Sequence, residues 1–165
     1  MSAPDYTVGD KKHIVSMRLN NIDRNAIQTM ASRLFVRESE IYRFAVNNLL
    51  NRLHKLHDLD CTGSDLLPLF IEFREELVHN LGLKKQQLFT IINSADVHPD
   101  KFVGMADIEL LVLPQNLVRQ RLLLLEDALV IKQNDVNAWL KNYFIEKYDL
   151  PRPAEENYDD DDVEA

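Results

Sequence analysis

The chain holds a single cysteine, Cys61, which excludes an intramolecular disulfide and any Cys-rich zinc cluster and points to a reducing compartment such as the cytoplasm. Long apolar runs are missing as well. The opening stretch MSAPDYTVGDKK has no apolar core of signal-peptide length, and no uncharged segment approaches the roughly 20 residues of a membrane-spanning helix. Neither export nor a membrane partner is expected. No nucleophile elbow, P-loop or HExxH pattern surrounds the Ser, His and Asp residues, so the residues point to no enzyme and no cofactor.

What is present is 165 residues, 45% of them hydrophobic, enough to bury the core of one ordinary domain or of two small ones. The formal net charge of −8 averages over two unlike halves. Through His57, nine Lys and Arg face five acids, a balance of +4; the remainder carries −12. A chain polarised in this way is expected to meet a polyanion through its N-terminal part only, its acidic part facing solvent or another protein.

Residues 1–10 are polar, with Pro4 and Gly9 and no periodicity, and read as a flexible arm. From Lys12 the period becomes two: Val15, Met17 and Leu19 lie on one side, Ile14, Ser16 and Arg18 on the other, the alternation of a half-buried strand over 12–19. A lone strand cannot satisfy its backbone groups, and no second convincing strand is near, so its partner is expected to be the same strand of a second chain. Ile22, Ala26, Ile27, Met30, Ala31 and Leu34 then recur at helical spacing, capped by Asn20 or Asn21, predicting a helix over 22–34. Ile41, Phe44, Ala45, Leu49, Leu50 and Leu53 predict a second over 38–57.

Cys61-Thr-Gly-Ser64 reads as a linker or turn. Beyond it, apolar patterns of helical period predict helices near 65–80, 84–94, 105–112, 115–133 and 135–149. Two stripes stand out: Leu117, Leu122, Leu125 and Leu129, and Val136, Trp139, Leu140, Tyr143 and Phe144. The final residues 155–165 carry seven acids and no base, and are expected to be disordered.

Strand, helix, short break and helix within 45 residues of net basic balance resembles the ribbon-helix-helix superfamily of Arc, MetJ and CopG type. The resemblance rests on Val15-Ser-Met-Arg-Leu19, Met30-Ala31 and Arg37-Glu-Ser-Glu-Ile-Tyr-Arg43, in register from Leu19 to Ser39. It covers residues 12–57; the C-terminal part resembles no family. It implies a mainly α fold class: an N-terminal ribbon-helix-helix domain (11–60; one strand plus two helices, an intertwined dimer), an α-helical domain (64–150) and an acidic disordered tail (151–165).

The resemblance further implies a homodimer or higher homo-oligomer that binds double-stranded DNA as a transcriptional regulator, with a two-stranded ribbon in the major groove. Ile14, Ser16 and Arg18 would contact bases; Lys11, Lys12, His13, Arg37 and Ser39 would contact the backbone, the last two at the N-terminus of the second helix. Phe35 and Arg37 stand where the family often carries glycine and a small capping residue, and Glu38 puts a carboxylate beside the expected phosphate.

The alternative from another class is a protein-interaction module, antitoxin-like or scaffold-like, in which the N-terminal domain mainly dimerises and the acidic helical part binds a protein partner. No metal is expected, although His54, His57 and Cys61 would share one face if the second helix continued that far. Trp139, Tyr143 and Phe144 read as a core stripe before a partner-binding patch.

Overall fold

The computed structural model of the protein describes residues 11–126 and 135–152. The expected flexible arm at 1–10, residues 153–165 of the expected acidic tail, and Leu129 with the end of the helix expected over 115–133 lie outside these residues. The chain divides into two compact units, Met1–Arg52 and Leu53–Ala165.

Among the described residues there is no β-strand, which overturns the ribbon-helix-helix fold class expected for the N-terminal part. Residues 11–20 carry no regular secondary structure. A strand requires a second backbone to complete its ladder. The alternation over 12–19 records two-faced side chains and does not itself supply that backbone. The fold is mainly α.

The N-terminal unit is a pair of packed helices, α1 (Asn21–Leu34) and α2 (Glu38–Arg52). Asn20 caps α1 by accepting the Asp23 N–H at 2.7 Å, and Asp23 and Arg33 sit at the ends where the helix dipole favours them. The helix ends in a Schellman motif, with Phe35 at φ 55° donating to Ser32 O and Val36 donating to Ala31 O. The Glu40 carboxylate accepts the Arg37 N–H at 2.8 Å and so closes the start of α2.

The C-terminal unit holds α3 (His54–His57), a 3-10 turn (Gly63–Leu66), α4 (Leu67–Glu72) and a π-helical stretch (Glu75–Asn80). There follow α5 (Lys85–Ile92), a second 3-10 turn (Pro99–Lys101), α6 (Met105–Val112), α7 (Gln115–Leu125) and α8 (Val136–Tyr148). Helix α8 packs on α4 and α7, and α5 packs on α6. Leu67, Phe70, Leu88, Ile92, Ile108, Leu111, Leu122, Leu140 and Phe144 form the sealed centre. Among the described residues no helix is long and apolar enough to cross a membrane.

Two local expectations change. The leucine stripe of α7 is not its buried face: Val118 and Leu122 are buried, while Leu117 and Leu125 are exposed. Val118 and Leu122, four apart, face inward together, whereas Leu117 lies about 100° round from Val118; Leu125 is the last residue of the helix. Trp139 and Phe144 are buried, so that stripe is core, and the Trp139 indole donates to Glu126 Oε2 at 3.0 Å.

Of the two readings of Cys61–Ser64, linker or turn, the structure shows a turn: Gly63 opens the first 3-10 turn. Gly63 and Ser64 are buried, and Lys101 Nζ pairs with Asp65 Oδ2 at 2.7 Å to hold the second 3-10 turn against the first. Gly63 has φ +58°, and a Cβ there would stand 2.1 Å from the Lys101 carbonyl oxygen. Gly82 has φ +63° with open space around it. Gly63→Ala is therefore expected to cost more than about 2 kcal/mol, backbone strain plus a displaced turn, and Gly82→Ala only about 1 kcal/mol. Urea unfolding of the full chain monitored by Trp139 fluorescence measures the difference.

Candidate functional site

In the N-terminal unit the relation between sequence and burial is unusual. Of its described hydrophobic residues only Ala31 is buried; twelve large apolar side chains between Ile14 and Leu50 are exposed, including Ile14 (97%), Val15 (89%), Phe44 (69%) and Leu49 (53%). Phe35 combines near-total exposure (96%) with left-handed backbone, a conformation that costs a bulky residue about 1–2 kcal/mol. Helices of 14 and 15 residues are marginal unless an apolar face is covered.

Val15, Met17 and Leu19, the residues expected to be buried, line a groove of about 660 Å³ against Tyr42 and Val46 of α2. His13 and Ser16 border the same groove, as do Arg24 and Arg43; Ile14 and Arg18 lie outside its lining. The expected base-contacting set is thus divided, with Ser16 beside the apolar groove. Lys11, Lys12, His13, Ile14, Ser16 and Arg18 are all exposed. Over residues 11–52 eight Lys and Arg face three acids, so the unit is basic on a chain that is acidic as a whole.

At the start of α2, Arg37 and Ser39 are exposed, but the Arg37 N–H is already taken by Glu40. Glu38 and Glu40 both occupy the first turn. That end therefore presents carboxylates where the resemblance asks for a phosphate. Among the described residues no three His, Cys, Asp or Glu side chains are placed to hold a metal ion, and His54, His57 and Cys61 are not brought together as a ligand set. Cys61 instead contacts Asp58, Sγ to Oδ2 at 3.6 Å, and burial together with the Asp58 carboxylate pushes its thiol up.

In the C-terminal unit two buried charges were not legible in the sequence. Arg74, 1% exposed, donates from Nε to Leu111 O at 3.0 Å and from Nη2 to Leu113 O. These carbonyls lie at the end of α6, where the helix dipole is negative. Desolvation lowers its affinity for the proton, and Glu75 opposes that shift. Asp107 is 2% exposed and accepts from Tyr143 OH (2.9 Å), Tyr148 OH and Lys147 Nζ (2.8 Å). Three donors from α8 thereby fasten a carboxylate of α6. The one available signal was an acid inside the apolar run Met105–Val112, two residues after its start.

No protein-family model matches the chain, and neither a curated protein nor a solved structure matches it.

The Asp107 cluster sets an alkaline limit. Desolvation, then Asp107, pushes the Tyr148 hydroxyl up. Desolvation also leads the rise at Tyr143, with Asp107 adding and Lys147 opposing. At Lys147 desolvation pulls down but the hydrogen bonds to Asp107 and Tyr143 raise it. Groups raised on folding contribute stability that is complete below their unfolded values, about 10 for Tyr and 10.4 for Lys, and lost as pH climbs through the folded ones. The urea midpoint should hold up to about pH 8, begin to fall as the raised Cys61 thiol enters its range, and fall further by about pH 11, with Tyr148→Phe flattening the upper part of the fall.

Proposed function

We propose that the N-terminal unit is a homodimerising module that binds double-stranded DNA, and that the protein is a DNA-binding regulator working in the cytoplasm. The observation that supports this reading is a basic two-helix unit whose apolar face lies open to solvent. An uncovered face of this kind marks an interaction surface. A second copy would cover it with the same residues, as a two-fold interface requires. Pairing two such units doubles the positive charge on one body, which favours a polyanion.

Within this reading Lys11, Lys12, Arg24 and Arg43 meet phosphates and Arg18 meets a base edge, where a guanidinium can make two hydrogen bonds to guanine. Ile14 and Ser16 flank it. The N-terminus of α2 has a smaller part than the ribbon-helix-helix resemblance implies, because Glu40 occupies the Arg37 amide. The same observation favours a second reading, in which the unit only dimerises and the acidic C-terminal unit engages a protein.

Two measurements on the full chain separate these readings. Sedimentation should show a dimer, and Leu49→Asp, which places a charge on the exposed apolar face of α2, should shift it to monomer. A dimer unaffected by that change would remove the proposed interface. Fluorescence anisotropy against duplex DNA at two salt concentrations should show affinity falling with salt, and Lys11→Ala with Lys12→Ala should reduce the log–log slope by roughly 2 per chain. Arg18→Ala should cost about 1–3 kcal/mol per base contact on a selected duplex and less on a scrambled one. A dimer that binds neither duplex at low salt would establish the interaction-module reading.

A further inference from the structure

The C-terminal unit contains a half-open cavity of about 420 Å³ whose charge runs against that of its surroundings. Its apolar wall is made by Pro68 and Ile71 on α4, Ile145 on α8, and Leu150 just beyond α8. Around that wall stand three cations from separate places in the chain: Lys55 on α3, Lys141 one turn before Ile145, and Arg152. The one lining carboxylate, Asp65, is already paired with Lys101.

Beyond His57 acids outnumber bases by twelve, so a carboxylate is the commonest neighbour a cation there could find. Yet Lys55, Lys141 and Arg152 make no ion pair with a carboxylate of the described residues. Cations converging on an apolar concavity, without an ion-pair partner among the described residues, form a surface complementary to a ligand that is negative at one end and aliphatic at the other. The volume is that of a small-molecule site, too small for a two-chain lipid. The scarcity of polar groups apart from the cations disfavours a nucleotide or sugar.

We propose that this cavity binds a small amphipathic organic acid, its carboxylate held by Lys141, Arg152 and Lys55 and its aliphatic body lying against Ile71, Ile145 and Leu150. Arg152 can hold both carboxylate oxygens through its planar fork, while the two lysines act as mobile point charges. Lys141 and Arg152 are exposed, so their attraction for the acid is screened by salt. The apolar wall supplies most of the affinity and the cations select the sign of the head group. This site does not depend on the DNA-binding reading, since all its residues belong to the C-terminal unit.

Cys61 also lines the cavity and is the only thiol in the chain, so its alkylation reports on this place alone. The test uses the full chain, octanoate as the probe, and octylamine and acetate as controls that invert the head group or remove the body. By calorimetry octanoate should saturate one site per chain while octylamine and acetate do not, and octanoate should slow iodoacetamide alkylation of Cys61. Lys141→Glu combined with Arg152→Glu, both at exposed positions, should weaken octanoate at least about tenfold. The proposal is overturned if octanoate does not saturate by about 1 mM, if octylamine binds equally well, or if the double variant, folded by circular dichroism, binds octanoate within about twofold of the parent.

Discussion

Apolar surface must be taken out of water, and the rest of this structure follows from where the chain finds cover for it. In the C-terminal unit cover is internal. Its helices are 4–13 residues long, below the length at which a helix persists alone in water. They exist because Leu67, Leu88, Ile108, Leu122, Leu140 and Phe144 close on one another. Each fully buried aliphatic or aromatic side chain contributes about 1.5–3 kcal/mol, which offsets the poor propensity of such short elements. In the N-terminal unit the two longest helices, α1 and α2, bury only Ala31 among the described hydrophobic residues. Under the proposed function a second copy supplies that cover, and this makes association part of the functional reading.

Short helices packed around a small core bring their unpaired ends close to it, and the buried polar groups answer that difficulty. Arg74 satisfies carbonyls at the end of α6. The Asn93 side chain bonds both backbone groups of Val103, donating to its oxygen at 2.7 Å and accepting its N–H at 2.9 Å, which pins the loop between α5 and α6. Asp107 collects Tyr143, Tyr148 and Lys147. A buried polar group left without partners costs about 1–3 kcal/mol, so these bonds serve mainly to make the packing tolerable and to select one arrangement of α6, α8 and the π-helical stretch.

Helical positions were legible because their signals are local. The period of three and four, Asn20 as a cap, and Asp135 accepting the Asn137 and Ala138 N–H groups at the start of α8 are all interactions within one turn. The strand over 12–19 rested on equally regular alternation, but a strand is completed by a second backbone that the pattern does not contain. The same limit affected the leucines of α7: four of them satisfy a helical stripe, yet the inward direction is set by α8, and it selects Val118 and Leu122. Gly63 and Ser64 read as a linker or a turn because glycine and serine mark both. A turn pressed under the Lys101 carbonyl has the same composition as one free in solvent.

By itself the sequence determined that the chain is predominantly helical, that basic charge is concentrated before His57, and that one thiol is present without a partner. These are properties of composition and near-neighbour spacing, and they survive any packing. Tertiary structure alone decided that Arg74 and Asp107 lie inside and that Cys61–Ser64 belongs to a packed layer. It likewise decided that Lys55, Lys141 and Arg152, some 86 and 11 residues apart along the chain, surround one cavity. Burial and convergence depend on which distant surfaces meet, and that is settled by the summed fit of the whole core rather than by any local run of residues.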